Sequence, residues 1–203
     1  MRIGILGAGN MADALGTRWI EAGHAVMISG RDPEKTRARA AGMGAAAGTF
    51  REAAEFGEVV LLAVLHDAAD EVLEGLPLRG RTLVDCTNAV EDGRLLRDMA
   101  AHIARDTGAH VVKAFNLCHV DVWRMTPPVF GGRPLAVPLS GDDEGAVAAV
   151  RGLVGDLGCV PVDGGGLERA ALAEATMAFM VGLWATGADA QAIVPPLEYV
   201  TGG

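Results

Sequence analysis

Arg2-Ile3-Gly4-Ile5-Leu6-Gly7-Ala8-Gly9-Asn10-Met11-Ala12 is the stretch that decides the fold. Its first five residues read as a short, wholly buried strand, and a helical pattern follows to about Ala22, where Gly23 stops it. Between strand and helix stands a Gly-x-Gly-x-x-Ala turn. Gly7 permits the tight bend, Gly9 lets the backbone approach a pyrophosphate, and Ala12 is small enough for close helix–strand contact. A glycine-rich turn alone is weak evidence. A strand directly before it and a helix directly after it supply the context that makes it a dinucleotide fingerprint. The pyrophosphate would then sit on the helix N-terminus, beside Ala8, Asn10 and Met11, where free N–H groups and the dipole favour negative charge.

Outward from this turn the chain alternates. Strands are expected at Ala25–Ser29, weakly at Ala45–Ala47, at Glu58–Val64, Thr82–Asp85, His110–Phe115, Leu135–Leu139 and Cys159–Val162. Helices are expected after Asp32-Pro33-Glu34 and over His66–Leu76, Leu95–Thr107, Asp143–Leu157 and Leu167–Ala188. An irregular stretch covers Asn116–Arg133. Continuous apolar strands between helices indicate an α/β fold: a Rossmann-like, doubly wound, mostly parallel sheet with right-handed crossovers. Residues 1–165 form the NADP-binding domain in this reading. Residues 166–203 add a C-terminal hydrophobic helix and tail to the same compact unit. The helix centre, Met177–Trp184, is apolar on every side and so is expected to be buried all round, by a second copy of the chain in a homodimer or by the sheet and the Pro195-Pro196 tail of the same chain.

The 203 residues carry a net charge of −9, which excludes nucleic acid or an anionic membrane as the main partner. Cys86, Cys118 and Cys159 are odd in number and lack metal-ligand spacing, so a reduced, cytoplasmic protein without structural metal is expected. No signal peptide reads at Met1. The uncharged stretch between Glu174 and Asp189 falls short of the roughly 18 residues of a membrane span.

The tip of the second strand selects the cofactor. NAD-binding turns place an acid there, whereas this chain has Ser29-Gly30-Arg31. A hydroxyl and a guanidinium would bond a 2′-phosphate, Arg31 bidentately, and Lys35 adds a point charge one turn into the next helix. Asp32, before Pro33, reads as that helix's cap. NADP(H) is the expected cofactor.

Ligands of open α/β sheets bind beyond the carboxyl ends of the strands, at the topological switch point. Val64, Leu65 and His66 end one strand there, Cys86, Thr87 and Asn88 another, and Asn116, Leu117, Cys118 and His119 a third. His66 reads as the first residue of a helix rather than a proton donor. Asn88 either binds the nicotinamide carboxamide or shapes a turn. Cys118 and His119 are candidate catalytic groups by type, but sequence neighbours point apart and no third group orients them, so both read as cavity lining. His24 and His102 are expected to face solvent.

Ile3–Ala12, Ser29–Lys35, Val59–Val64, Val84–Asn88, Val112–Asn116 and Val162–Arg169 resemble the NADPH-dependent reductases of coenzyme F420, with the NADPH-binding domain of six-transmembrane metalloreductases as relatives. The resemblance runs from Met1 to about Trp184. Its specific part is the combination of Ser-x-Arg, Lys-Ala-Phe-Asn and Val-Asp-x-Gly with a terminal hydrophobic helix. It implies NADP on the glycine turn, Ser29, Arg31 and Lys35 at the 2′-phosphate, and Val64 and Leu65 beside the nicotinamide. It also implies hydride exchange with F420, or with FAD or FMN, stacked on that ring. Leu65-His66 and Leu117-Cys118-His119 depart from the family pattern where the second substrate binds. The Gly-Ala-Gly-Asn-Met-Ala opening is also similar to pyrroline-5-carboxylate and imine reductases, which continue into a long helical domain. Two alternatives therefore stand beside F420 reduction: an imine or ketone reductase, and an NADP(H) redox sensor without catalysis.

Overall fold

The computed structural model describes residues 1–188. Its main sheet comprises β1 (Arg2–Leu6), β2 (Ala25–Ser29), β3 (Ala46–Gly48), β4 (Val59–Leu62), β5 (Thr82–Asp85), β6 (His110–Lys113), β7 (Ala136–Ser140) and β8 (Val160–Gly165). The spatial order is β3-β2-β1-β4-β5-β6-β7-β8. The first six strands run parallel, and β7 meets β6 through one antiparallel pair, Ser140 with Lys113. This is the Rossmann-like, mostly parallel sheet expected from the alternation. β1 pairs with β2 on one side and β4 on the other, so the switch point lies at the glycine turn.

Helices α1 (Asn10–Glu21), α2 (Pro33–Met43), α3 (Phe50–Phe56), α4 (Ala69–Leu73), α5 (Met99–Thr107), α6 (Val120–Trp123), α7 (Glu144–Asp156) and α8 (Ala170–Ala185) connect and cover the strands. Strand periodicity divides the core between two faces. Ile3, Ile5, Leu61 and Val84 join Trp19, Phe115, Trp123 and Leu153 on one face, and Leu6, Val60, Leu62 and Leu83 join Met99 and Ile103 on the other. Trp19 is wholly buried, and its indole N–H donates to the Leu153 carbonyl at 3.1 Å. Gly4 has a packing reason: a Cβ there would run into the Ala53 carbonyl, so only glycine lets α3 lie on β1.

Several boundaries differ from expectation. Leu95 does not begin a helix. Val90–Glu91 and Arg94–Leu95 form a hairpin around Asp92-Gly93, both at positive φ (48° and 72°), and α5 starts at Met99 under an Asp98 cap. His66–Ala68 is a 3₁₀ turn, and the helix behind it ends at Leu73. β6 stops at Lys113 because Phe115 turns left-handed, at φ 62°, with its ring edge-on between Trp19 and Trp123. The stretch 116–133 contains the short α6 and one strand of a second hairpin, Val129–Phe130 with Arg133–Pro134. His24 and His102 do not simply face solvent: His24 Nε2 lies 2.9 Å from Asp156 and His102 Nε2 2.8 Å from Asp70.

The terminal helix is covered only in part by the other described residues. Among the described residues α8 buries only Ala170, Glu174 and Ala178, while Leu172, Phe179 and Trp184 are exposed. It packs against the Val90–Leu95 hairpin and α5, which leave its other side open among the described residues. The Pro195-Pro196 tail lies outside the described residues.

Candidate functional site

The carboxyl ends of β1, β2, β4, β5 and β6 open into one cavity of about 1000 Å³. That is enough for a dinucleotide and part of a second ligand. Gly7 takes φ 135° at the end of β1, where a Cβ would strike the Ala63 carbonyl, so this bend requires glycine. Gly9 caps α1 without a side-chain bond, leaving the first helical N–H groups directed at the cavity. A Cβ on Gly9 would meet no protein atom within 4 Å. The protein itself therefore does not require glycine at this position, whereas a ligand seated on the turn would. Ala8, Asn10 and Met11 line the same wall.

Gly30, Arg31 and Lys35 line the cavity beyond β2. Asp32 caps α2 as expected, accepting from the Glu34 and Lys35 amides at 3.0 and 3.1 Å. The Lys35 amide bond is the main cause that lowers the Asp32 pKa. Lys35 Nζ rests 3.5 Å from Asp32, and Arg31 makes no ion pair among the described residues. Ser29 does not line the cavity. Its hydroxyl is buried and donates to the Ile5 carbonyl at 2.8 Å, because strand alternation turns residue 29 into the sheet and leaves Gly30 at the opening. The expected Ser29 contact with a 2′-phosphate is therefore corrected.

Val64, Leu65 and His66 follow β4 at the cavity edge, with Leu65 76% exposed. Asn88 and Asn116 stand on its floor. Cys118 and His119 also line it, but they form no dyad: the His119 ring accepts from the Asp121 amide and lies 3.3 Å from the Asp121 carboxylate. Burial, with Cys159 adding to it, pushes the Cys118 thiol up to about 11. Burial beside Asp85 pushes Cys86 up to about 12, and its thiol donates to the Leu62 carbonyl at 3.2 Å. Neither sulfur is an activated nucleophile.

The sequence reading missed three features. Phe50 and Met177 reach the cavity from α3 and α8, elements remote from the glycine turn. Behind the floor lies a buried ionic cluster. Lys113 Nζ donates to Asp85 Oδ2 at 2.8 Å, to the Thr87 carbonyl at 2.5 Å and to Glu174 Oε1 at 2.6 Å. All three groups are 0–1% exposed. Asp85 Oδ1 accepts from the Thr87 amide and hydroxyl, and Glu174 accepts from the Met99 and Ala100 amides at the start of α5. The cluster carries two carboxylates on one ammonium, with the α5 N-terminus beside the excess charge. The available signal was a lysine inside the apolar run Val111–Phe115, which has to find a carboxylate when buried.

Comparison with known proteins agrees with this geometry. Residues 2–89 match the family described as NADP oxidoreductase, coenzyme F420-dependent. Metalloreductase STEAP3 of Rattus norvegicus is 31% identical over 189 residues. The alignment covers 90% of this chain and 38% of that protein, so the chain spans well under half of this curated relative. A structure from Arthrobacter sp. FB24, provisionally assigned as an F420-dependent NADP-reductase, is 26% identical with a TM-score of 0.78. It covers 92% of this chain and 94% of its own. An imine reductase from Streptomyces aurantiacus shares the fold at 20% identity and TM-score 0.70, over 91% of this chain and 62% of that one. Among the described residues no helix is long and apolar enough to cross a membrane.

Proposed function

We propose that this chain is an NADP-dependent oxidoreductase that transfers a hydride between NADP(H) and a deazaflavin (coenzyme F420) or a flavin, FAD or FMN. The observation that carries the reading is the continuity of one cavity from the glycine turn through Leu65 to the floor at Asn88 and Asn116 and on to Cys118 and Met177. The residues present fit the dinucleotide. Gly7, Ala8, Gly9, Asn10 and Met11 would hold the pyrophosphate, Gly30, Arg31 and Lys35 the 2′-phosphate, and Val64, Leu65, Asn88 and Asn116 the nicotinamide end. When bound, the nicotinamide supplies or receives the hydride.

The chain's task is then binding and alignment. Arg31, without an ion pair among the described residues, can fork onto a phosphate, and Leu65 and Met177, which both line the cavity, offer apolar surface to a flat ring. Burial raises the thiol pKa of Cys86 and Cys118, and His119 lies against Asp121. This leaves His66 as the one candidate group at the cavity edge without a carboxylate contact among the described residues, and hydride exchange between stacked rings needs little acid–base help. That favours a ring acceptor over an imine or ketone, for which proton delivery matters. Residues 1–165 act as the binding domain. Leu172, Phe179 and Trp184 on α8 are surface for a second copy of the chain, in a cytoplasmic homodimer.

The test is turnover. The protein is mixed with NADPH and oxidised F420, then with FAD or FMN, and loss of the nicotinamide absorbance is followed. Turnover with at least one ring acceptor is expected, and Arg31→Ala should raise the KM for NADPH far more than for NADH. NADPH binding without turnover on any of the three acceptors would refute the acceptor class. Reduction of a cyclic imine would establish the imine reductase instead, and tight binding with no acceptor would leave the sensor.

A further inference from the structure

The floor of the cavity holds a polar group with no hydrogen-bond partner among the described residues. Asn88 and Asn116 lie just beyond the neighbouring strands β5 and β6 and clasp each other. Asn88 Nδ2 donates to the Asn116 main-chain carbonyl at 2.8 Å, and Asn116 Nδ2 donates to Asn88 Oδ1 at 2.9 Å. The chemistry of the groups fixes these orientations. A main-chain carbonyl can only accept, so Asn88 must present Nδ2 to it. Asn88 Oδ1 can then only accept, so Asn116 must present Nδ2 in turn. Asn116 Oδ1 is left as the free end.

Asn116 is 4% exposed and lines the cavity. Its Oδ1 has no partner among the described residues. Unlike the enclosed, unpartnered Arg18 Nε and Trp123 Nε1, this oxygen keeps some exposed surface on a residue that lines the cavity. The clasp is rigidly backed. Asp85 and Lys113 hold Thr87 from three sides, and Phe115, just before Asn116, is wedged between two tryptophans. A buried acceptor held this firmly and left open selects a ligand that brings a donor.

We propose that Asn116 is the specificity residue for the nicotinamide carboxamide, with Oδ1 accepting its N–H, and that Asn88 is the positioning residue that keeps Oδ1 turned outward. This rests on reading the cavity as an NADP(H) site. It assigns the two asparagines different work: Asn116 reads the amide, and Asn88 sets the direction from which it is read. Ligands whose pyridine ring carries an acceptor in place of the amide would confront Oδ1 with a second acceptor. The ketone of 3-acetylpyridine and the carboxylate of nicotinic acid are such groups.

Binding alone tests this, without any acceptor substrate. Titration calorimetry is run with NADP⁺, its 3-acetylpyridine analogue, its nicotinic acid analogue and adenosine 2′,5′-bisphosphate, which has no pyridine. The native chain should prefer NADP⁺ over both analogues by roughly tenfold, the scale of one good hydrogen bond. Asn116→Leu should remove that preference while binding the bisphosphate as the native chain does. Asn88→Ala, which keeps the Asn116 side chain but frees its amide to turn, should narrow the preference several-fold. Equal native affinity for NADP⁺ and the acetylpyridine analogue would overturn the proposal, as would an Asn116→Leu chain that still discriminates. If Asn116→Leu loses the bisphosphate as well, its fold is damaged and Asn88→Ala decides, undiminished discrimination there counting against the proposal. A native chain that binds neither NADP⁺ nor the bisphosphate would fail the cofactor reading itself, a result distinct from binding without discrimination.

Discussion

Replacing Lys113 by methionine should be among the most damaging single changes available to this fold, and the geometry says by how much. Each of the three ammonium N–H groups has an acceptor, Asp85, Thr87 or Glu174. Methionine fills similar space but leaves two buried carboxylates facing each other. Removing one partner of a buried ion pair costs about 3–5 kcal/mol. For a chain of this size each kcal/mol moves Tm by about 2–4 °C. Lys113→Met should therefore lower Tm by roughly 6–20 °C. Glu174→Gln should be milder. Burial raises the Glu174 pKa and Lys113 only partly offsets it, so the ionised carboxylate is disfavoured by the fold. Glutamine removes the excess negative charge and keeps an oxygen for Lys113. What it loses is the bond from the Met99 amide, which now faces an N–H, at a cost of about 1–3 kcal/mol. The lysine also has a pH signature. Burial opposes its charge, but Asp85 and Glu174 together outweigh burial and raise the pKa above the ordinary 10.5. Its contribution is complete below 10.5 and is lost as pH rises through the higher folded value. Thermal and urea unfolding of the native chain, Lys113→Met and Glu174→Gln, measured from pH 7 to pH 11, check all three statements. A Lys113→Met chain within about 1 kcal/mol of native, or more stable than Glu174→Gln, would show that the cluster contributes no more than apolar packing.

Two further outcomes follow from the cavity. Gly9→Ala adds a methyl group that meets no protein atom, so Tm should stay within about 2 °C of native while NADPH affinity falls roughly tenfold; unchanged affinity in a binding titration would move the dinucleotide off this turn. With its thiol pushed from 9.0 to about 11, Cys118 should carry about a hundredfold less thiolate than an ordinary cysteine at pH 8. Iodoacetamide labelling followed by mass spectrometry should show correspondingly slow modification that accelerates only toward pH 11, and rapid labelling at neutral pH would contradict the burial argument.

Much of this molecule is written locally. The strand Arg2–Leu6, the bend at Gly7, the Asp32-Pro33 cap and the run Val59–Leu62 are each decided by a few adjacent residues, and each appears where its local chemistry puts it. Where the reading failed, the deciding partner lay far along the chain or one residue away in register. Ser29 and Gly30 differ by a single step of strand alternation, which moves a hydroxyl from the cavity to the Ile5 carbonyl. Leu95 obeys a hairpin set by Asp92-Gly93, a two-residue turn signal that ends before the helix can begin. Asp85, Lys113 and Glu174 are separated by up to 89 positions (174 − 85), and no local pattern announces that they meet. The same holds for Asn88 and Asn116, whose identities are plain in the sequence but whose division of labour depends on which atom each turns toward the other.

The terminal helix shows why that long-range cluster matters to the cavity. Amphipathic helices ordinarily dock through their bulky apolar residues, and α8 does the reverse. Ala170, Glu174 and Ala178, four positions apart, face inward, and Gly182 continues the stripe toward the hairpin, where a Cβ added to it would stand 3.8 Å from the Gly93 Cα. Small side chains bring the helix backbone close but bury little area, so hydrophobic contact alone holds this helix weakly. The strong tether is Glu174, bound to Lys113 and to the first amides of α5. One turn later on the same helix, Met177 forms a wall of the cavity. The ionic cluster therefore sets the position of that wall as well as the floor at Thr87, and it does so while Leu172, Phe179 and Trp184 remain outward, available to the second copy of the chain proposed above.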